Sequence, residues 1–371
     1  MKQHTILHTI ETGGPGGAET VLLNLVSNLD TNRFRSVVLL PGGRWLPGQL
    51  QERKIPTIIA KSDAWYDLQL PRALANLVRQ EGVDLIHSHL PDQNFYSCVV
   101  GRLTACRTIV TYHGAPQISR NGGLRRAIKA WVVRRSATAV VVVSEYLKRL
   151  LVEDGFPAEK IVRIYNGVDV GRFAHGQGGR LRAELGCPEG AILIGIVANL
   201  RRSKGHEYFV EAARKVMDSI PEARFVAVGE IEEGIAKRMK ARVQQLGLEN
   251  HFFILGFRAD IPGILQGLDV FVLSSVSEGL SIATIEAMAA GKPVVVTRSG
   301  GPEEVVEDGR TGLLVPPSDA DSLAAGICEI LRNPQLAKSL GRSARAVVES
   351  RFSLARMVKE YESLYERCLA A

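Results

Sequence analysis

A chain of 371 residues is longer than one hydrophobic core usually supports, so two domains are expected. With 46% apolar and 23% charged residues, the composition excludes disordered and fibrous classes, and no apolar run reaches the roughly 18 uncharged residues of a membrane span. The net charge of +7 is unevenly spread: residues 1–172 hold 22 Lys and Arg against 14 Asp and Glu, the remainder 24 against 25, and Gln93–Ser144 contains no acid at all. Such a field attracts a polyanion or an anionic membrane surface. Cys98, Cys106, Cys187, Cys328 and Cys368 are scattered without a C-x-x-C spacing, which indicates neither a disulfide framework nor a zinc site.

The segment Met1–His4 leads into a strand and not into a signal-peptide apolar region, which places the chain in the cytoplasm as an expectation. Short β-branched runs follow at Thr5–Ile10, Ser36–Leu40, Asp84–His87, Thr108–Tyr112, Ala139–Val143 and Ile161–Tyr165, with helical patterns such as Glu19–Leu29 and Pro71–Gln80 between them. Gly171–Gly179 reads as a glycine-rich connector where periodicity lapses. A second series then runs through strand Ile192–Ala198, helix Glu207–Met217, strand Arg224–Gly229, helix Ile235–Leu246, strands Phe252–Gly256 and Val270–Ser274, helix Ser281–Ala290 and strand Pro293–Thr297. The alternation predicts an α/β fold of two doubly wound, Rossmann-like domains facing a central cleft, over residues 1–170 and 171–352. An amphipathic helix over 353–371 is expected to cross back to the first domain.

Several residues stand where such folds do chemistry. Glu278 lies in a turn after a strand, and Glu286 lies on the helix whose apolar positions Ile282, Ile285, Met288 and Ala289 face the core. A turn that opens a helix offers unpaired N–H groups and a positive dipole end, which suit a phosphate or sugar hydroxyls; the plainer alternative is two glutamates complementing that dipole. Arg201, Arg202 and Lys204 follow strand Ile192–Ala198 at the edge where anions bind. His113 ends a strand ahead of Gly114 and is expected to point into the cleft, unless it is a satisfied structural histidine. Gly13–Glu19 superficially suggests a dinucleotide fingerprint, but Glu19 stands where the last glycine belongs, so Gly16 and Gly17 read as bare backbone approaching either donor phosphates or an acceptor. His87 and His89 lack a carboxylate or cysteine companion at ligand spacing and read as packing, and Asp319-Ala320-Asp321 reads as a helix cap.

The spacing Glu-x7-Glu from Ser277-Glu278-Gly279 to Glu286-Ala287-Met288-Ala289-Ala290-Gly291-Lys292-Pro293 closely resembles the signature of glycosyltransferase family 4, the retaining GT-B enzymes. Agreement continues at Gly16-Gly17-Ala18-Glu19, Asp84-Leu85-Ile86-His87-Ser88-His89, Thr111-Tyr112-His113-Gly114, Tyr165-Asn166-Gly167-Val168-Asp169, Lys204-Gly205 and Gly300-Gly301-Pro302-Glu303-Glu304. The resemblance implies a hexosyltransferase whose C-terminal domain holds a nucleotide-diphosphate sugar, with a UDP- or GDP-sugar as co-substrate and neither a cofactor nor a metal. It implies that Glu278 contacts the sugar hydroxyls and Glu286 the ribose. The backbone of Gly279, Leu280, Ser281 and Ile282 would hold the sugar and diphosphate, Lys204 with Arg201 or Arg202 would meet the diphosphate, and His113 would lie by the anomeric region and be needed for activity. A glycan or lipid-linked acceptor of envelope, lipopolysaccharide or exopolysaccharide synthesis is the expected partner. A sugar-nucleotide 2-epimerase and a non-catalytic binder of acidic ligands are the alternatives; few aromatics interleave the basic stretch, so nucleic acid is not expected.

Residues 123–135 form a basic amphipathic helix with Leu124, Ala127, Ile128, Trp131 and Val132 on one stripe and Arg125, Arg126, Lys129, Arg134 and Arg135 elsewhere. The stripe either packs on the first domain or docks on an anionic membrane, as in a peripheral protein of the inner membrane face.

Overall fold

The computed structural model describes residues 2–43, 45–60, 69–114, 123–174 and 178–370. The chain divides into two compact units, one of residues 1–166 with 354–371 and one of Gly167–Ser353.

The first unit is built on a seven-stranded, all-parallel sheet in the order β3-β2-β1-β4-β5-β6-β7, comprising β1 (His4–Ile10), β2 (Phe34–Leu40), β3 (Thr57–Ile59), β4 (Leu85–His89), β5 (Arg107–Tyr112), β6 (Ala139–Val142) and β7 (Ile161–Arg163). Every residue of β4 and β6 is buried, as expected of parallel strands covered on both faces. The strand order changes direction between β1 and β4, and ligand sites of open α/β sheets lie at the carboxyl end of such a switch point. The helix Leu354–Ala370 belongs to this unit. Glu362 accepts hydrogen bonds from the Asp30 backbone N–H at 2.8 Å and from Arg33 at 3.3 Å, while Tyr361 and Tyr365 are fully buried.

The second unit repeats the scheme with six parallel strands in the order β10-β9-β8-β11-β12-β13, namely β8 (Ile192–Val197), β9 (Ala223–Val228), β10 (Phe252–Leu255), β11 (Val270–Leu273), β12 (Val294–Thr297) and β13 (Leu313–Val315). On one face Phe209, Phe225 and Phe252 meet edge to face or stacked, with ring centroids 5.3–6.1 Å apart, which anchors the core formed with the helix His206–Met217. Its switch point lies between β8 and β11.

Three expectations are corrected. The supposed connector Gly171–Gly179 is helical on both sides of the undescribed residues 175–177, as Val170–Ala174 and Gly178–Glu184. Of its glycines Gly178 serves close packing: a Cβ there would lie 2.6 Å from the Gln266 carbonyl carbon, and one on the facing Gly267 would lie 2.9 Å from the Gly178 oxygen. Strand Ile161–Tyr165 stops at Arg163, whose guanidinium then lies 4.0 Å over the Tyr165 ring. The stripe of the basic helix does not pack inward. In Gly123–Ser136 only Val133 is buried, while Leu124, Ile128 and Trp131 are 78%, 49% and 57% exposed.

Candidate functional site

The second unit draws its chemistry to the switch point. The loop after β8 carries Arg201, Arg202 and Lys204, and the loop after β11 carries Ser275 and Glu278. Two hydrogen bonds lace these loops together, from Val276 N–H to the Ser203 oxygen at 2.9 Å and from Ser274 Oγ to the Lys204 oxygen at 3.0 Å. Gly205 makes the approach feasible: it sits at φ +59°, and a Cβ there would lie 2.1 Å from the Ser274 oxygen.

Across this junction Lys204 Nζ donates to Glu278 Oε1 at 2.6 Å, and Ser275 Oγ donates to the same oxygen at 2.7 Å. Glu278 is 8% exposed, so the pair is charge-assisted and partly desolvated. Both bonds land on Oε1, which leaves Oε2 to accept from a hydroxyl. An ammonium has three donors, and Glu278 takes one of them. Arg201 and Arg202 are exposed, flanking the pair with further positive charge.

Glu278 is pinned by its backbone as well. Its N–H donates to the Ser299 oxygen at 2.9 Å, and its own oxygen accepts from Gly301 N–H at 3.3 Å. The turn Gly279–Leu280 then opens the helix Ile282–Ala289, where the Ser281 hydroxyl caps Thr284 N–H at 3.2 Å. The turn rests on bare backbone, because a Cβ on Gly301 would lie 1.9 Å from the Gly279 oxygen. Gly301→Ala is therefore expected to displace this turn and lower the melting temperature while leaving the transition cooperative; scanning calorimetry measures both.

Glu286, on the same helix, is half-buried. Desolvation raises its carboxyl to about 7, partly opposed by the positive charge of Arg172.

In the first unit the switch point gathers histidines. Cα pairing sets His8 of β1 opposite His87 of β4, and His89 opposite Thr111 of β5. Residues two apart on a strand share a face. His87 meets the Tyr365 hydroxyl at 2.6 Å through Nδ1 and Thr111 Oγ1 at 2.8 Å through Nε2. His89 Nδ1 lies 3.0 Å from His113 Nε2, with the rings 5.3 Å apart at 24°. The His113 ring thus packs against the buried His89 ring, a contact the sequence did not foretell. Burial drives His8 down to about 3 and His113 to about 4, so the row is neutral at pH 7.

His8 was absent from the sequence-derived site, and it is the companion that His87 and His89 lack in sequence: a ring nitrogen from each lies within 4.8 Å of the others. Both His87 nitrogens are committed to Tyr365 and Thr111, which favours a packed structural row over a ligand set. Ser275 and Arg172 were likewise missed; Ser275 alone had a local signal, a serine pair at the carboxyl end of a buried strand.

Gly16 is covered from within the unit. It precedes the helix Gly17–Asn28, and a Cβ there would lie 2.3 Å from the Glu19 carboxylate, which also accepts from the Thr12 hydroxyl. The Glu19 carboxylate thus lies directly over the Gly16 turn. Asp319 caps the helix Ala320–Arg332 by accepting from Ser322 N–H at 3.0 Å.

Comparison with known proteins agrees over most of the chain. Residues 15–172 match the model described as Glycosyltransferase Family 4, and residues 179–347 match Glycosyl transferases group 1. One relative, the Escherichia coli UDP-Gal:alpha-D-GlcNAc-diphosphoundecaprenol alpha-1,3-galactosyltransferase, is 26% identical over 321 residues, 84% of this chain and 82% of that protein. Another, the putative glycosyltransferase EpsD of Bacillus subtilis, is 29% identical over 317 residues, 81% of this chain and 80% of that protein. The crystal structure of Anabaena Alr3699/HepE in complex with UDP-glucose superposes with a TM-score of 0.89 at 25% identity, over 98% of this chain and 99% of that one.

Proposed function

We propose, from the premise that this chain belongs to glycosyltransferase family 4, that it transfers a hexose with retention from a nucleotide-diphosphate sugar to a glycan or lipid-linked acceptor. The observation that carries the reading is the Lys204–Glu278 pair at the second switch point, where a phosphate-binding cation and a hydroxyl-binding carboxylate are joined at 2.6 Å. Glu278 Oε2 grips the sugar hydroxyls, Glu286 the ribose, and the N–H groups of Gly279–Ile282 the sugar and diphosphate. Lys204 with Arg201 neutralises charge developing on the departing diphosphate, which makes a metal unnecessary. His113 stands by the anomeric carbon. With no side chain among the described residues identified as a nucleophile, the acceptor attacks on the face the diphosphate leaves, through an oxocarbenium-like transition state.

The UDP-glucose complex of the structural neighbour and the UDP-Gal named for the E. coli relative favour a UDP-sugar donor here. Thermal shift against UDP-, GDP- and ADP-sugars tests this: a donor at 100 times its dissociation constant stabilises by about 2.7 kcal/mol. The absence of a shift with all three overturns the reading, and formation of a 2-epimer without acceptor would favour the epimerase.

Glu286 makes donor binding pH-dependent. As an anion it accepts from ribose hydroxyls, so affinity is expected to fall as pH drops from 8 to 6 through its raised value near 7. Folding shows the opposite trend. The native carboxyl holds its proton more tightly than the unfolded one, so its stabilisation is full below the ordinary range and is lost as pH rises through about 7. Titration calorimetry and melting curves should both lose these slopes in Glu286→Gln.

The acceptor side is proposed to meet an anionic membrane from the cytoplasm. Among the described residues no helix is long and apolar enough to cross a bilayer, so contact is peripheral. Leu124, Ile128 and Trp131 recur at i, i+4 and i+7, exposed and flanked by Arg125, Arg126 and Arg135. Flotation with phosphatidylglycerol vesicles should carry the protein upward at low salt, with a blue-shifted tryptophan emission absent in Trp131→Phe. Equal partitioning into neutral vesicles would sink this part of the proposal.

A further inference from the structure

We propose that His206 is a positioning residue for the cations after β8: its Nε2–H donates to the Asn199 carbonyl and closes the loop 199–205 on itself, so that Arg201 and Lys204 are held in place for a diphosphate. The proposal rests on the functional reading above for the ligand of that loop, whereas the closure itself stands on the geometry of the second unit.

His206 opens the helix His206–Met217 and is buried. Its Nε2 lies 3.2 Å from the Asn199 oxygen, seven positions back along the chain. A carbonyl oxygen can only accept, so the contact requires the ring proton on Nε2. Burial brings the ring down to about 4, opposed by the Asn199 backbone and aided by the Lys204 charge, so at pH 7 it carries a single N–H. Nδ1, buried without a hydrogen-bond partner, then keeps only a lone pair. The other tautomer would set a lone pair on Nε2 against the carbonyl oxygen and bury an orphan N–H at Nδ1. It is worse at both nitrogens, because a buried orphan N–H is rarer in folded proteins than an under-satisfied acceptor.

The Asn199 oxygen is where the internal order of the loop begins. It also accepts from Arg201 N–H at 2.8 Å, and the Arg201 oxygen in turn accepts from Lys204 N–H at 3.0 Å. A shift of this one carbonyl therefore passes through two backbone links to both cations. The start of the loop is fastened sideways, by the Glu230 N–H donating to Asn199 Oδ1 at 3.0 Å, and its end is fastened to the loop after β11 through Ser203 and Lys204. His206 joins the start to the end. Charges fixed before the ligand arrives spare the cost of ordering them on binding, and preorganised charge is what a departing diphosphate needs. Buried and neutral, the imidazole acts through Arg201 and Lys204, so its effect falls on the recognition of phosphate.

Titrations with UDP and with uridine separate this role from a general structural one, since uridine has no phosphate for the cations to meet. His206→Leu should weaken UDP binding by about threefold to tenfold, the worth of one neutral hydrogen bond, and leave uridine binding unchanged. His206→Gln carries an amide N–H near the Nε2 position and should restore most of the loss. Equal losses for UDP and uridine, equal losses of UDP binding in the two variants, or an unchanged UDP affinity in His206→Leu each overturn the proposal. Long-range proton–nitrogen spectra of histidine-labelled protein at pH 7.5 read the contact directly, with His206→Gln supplying the assignment. Protonated Nε2 and bare Nδ1 are expected; a protonated Nδ1 overturns the proposal. If His206→Leu fails to fold, the wild-type spectrum decides alone. Failure of UDP, GDP and ADP alike to bind the wild-type protein would instead sink the donor reading, while the spectrum still judges the closure of the loop.

Discussion

Glu278→Gln lowers turnover by roughly 10²–10³-fold, the magnitude typical of one preorganised polar contact to a transition state. The amide keeps the shape of the carboxylate but not its charge. Lys204 loses the anion that orients it, and a carboxamide nitrogen turned toward Lys204 or Ser275 would face a donor instead of an acceptor. Because contacts to the sugar strengthen as the oxocarbenium develops, kcat falls more than the donor KM rises. Lys204→Met has a comparable effect by the reverse route: it removes the cation and leaves Glu278 buried and unpaired. The two changes combined should cost less than their sum, since each already breaks the same pair. Initial rates for the four proteins give the cycle. A Glu278→Gln enzyme with near wild-type turnover would remove Glu278 from the site, and strict additivity would uncouple it from Lys204.

The second large effect falls on stability in the other unit. Tyr365→Ala is expected to cost about 3–5 kcal/mol, the range for truncating a buried aromatic side chain. The ring is fully buried, lies 5.7 Å edge-on from Phe34, and its hydroxyl meets His87 Nδ1 at 2.6 Å. Tyr365→Phe keeps the packing and removes the hydroxyl alone, leaving a buried imidazole nitrogen unsatisfied for about 1–3 kcal/mol. Urea titration followed by circular dichroism separates the two. Donor affinity in the folded variants should change little, since Arg201, Lys204, Glu278 and Glu286 all belong to Gly167–Ser353, although His113 does not. Equal costs for Ala and Phe would mean that the hydroxyl, and not the ring, holds the helix Leu354–Ala370 down.

Much of this was legible in the sequence, for physical reasons that also mark its limits. Central parallel strands are buried on both faces, so β6 and β11 appear as unbroken apolar runs. The edge strand β3 has three residues, one of them exposed, and leaves no such trace. The helix Pro91–Thr104 is hidden because its buried face includes Gln93, Asn94 and Ser97, so no apolar stripe marks it. At the site, Glu278, Glu286 and Lys204 stand out because their neighbours in sequence form a family pattern. Their pairing across 74 positions does not, since it depends on β8 and β11 lying side by side. His8 reaches His87 only through strand register, and Arg172 reaches Glu286 only through folding. The exposure of Trp131 was equally out of reach, because an amphipathic pattern says that a stripe exists but not what covers it.

The return of the helix Leu354–Ala370 to the first unit sets an order on biosynthesis. Residues 1–166 leave the ribosome with their strands complete but without Tyr361 and Tyr365, and all of Gly167–Ser353 must be translated before those side chains arrive. At about 5–20 residues per second, that interval lasts on the order of ten to forty seconds. Throughout it His87 lacks the Tyr365 hydroxyl that meets its Nδ1 in the finished fold. Closure of the nascent unit is thus a late event, and the contact that holds His87 Nδ1 forms only after Leu354–Ala370 has been translated.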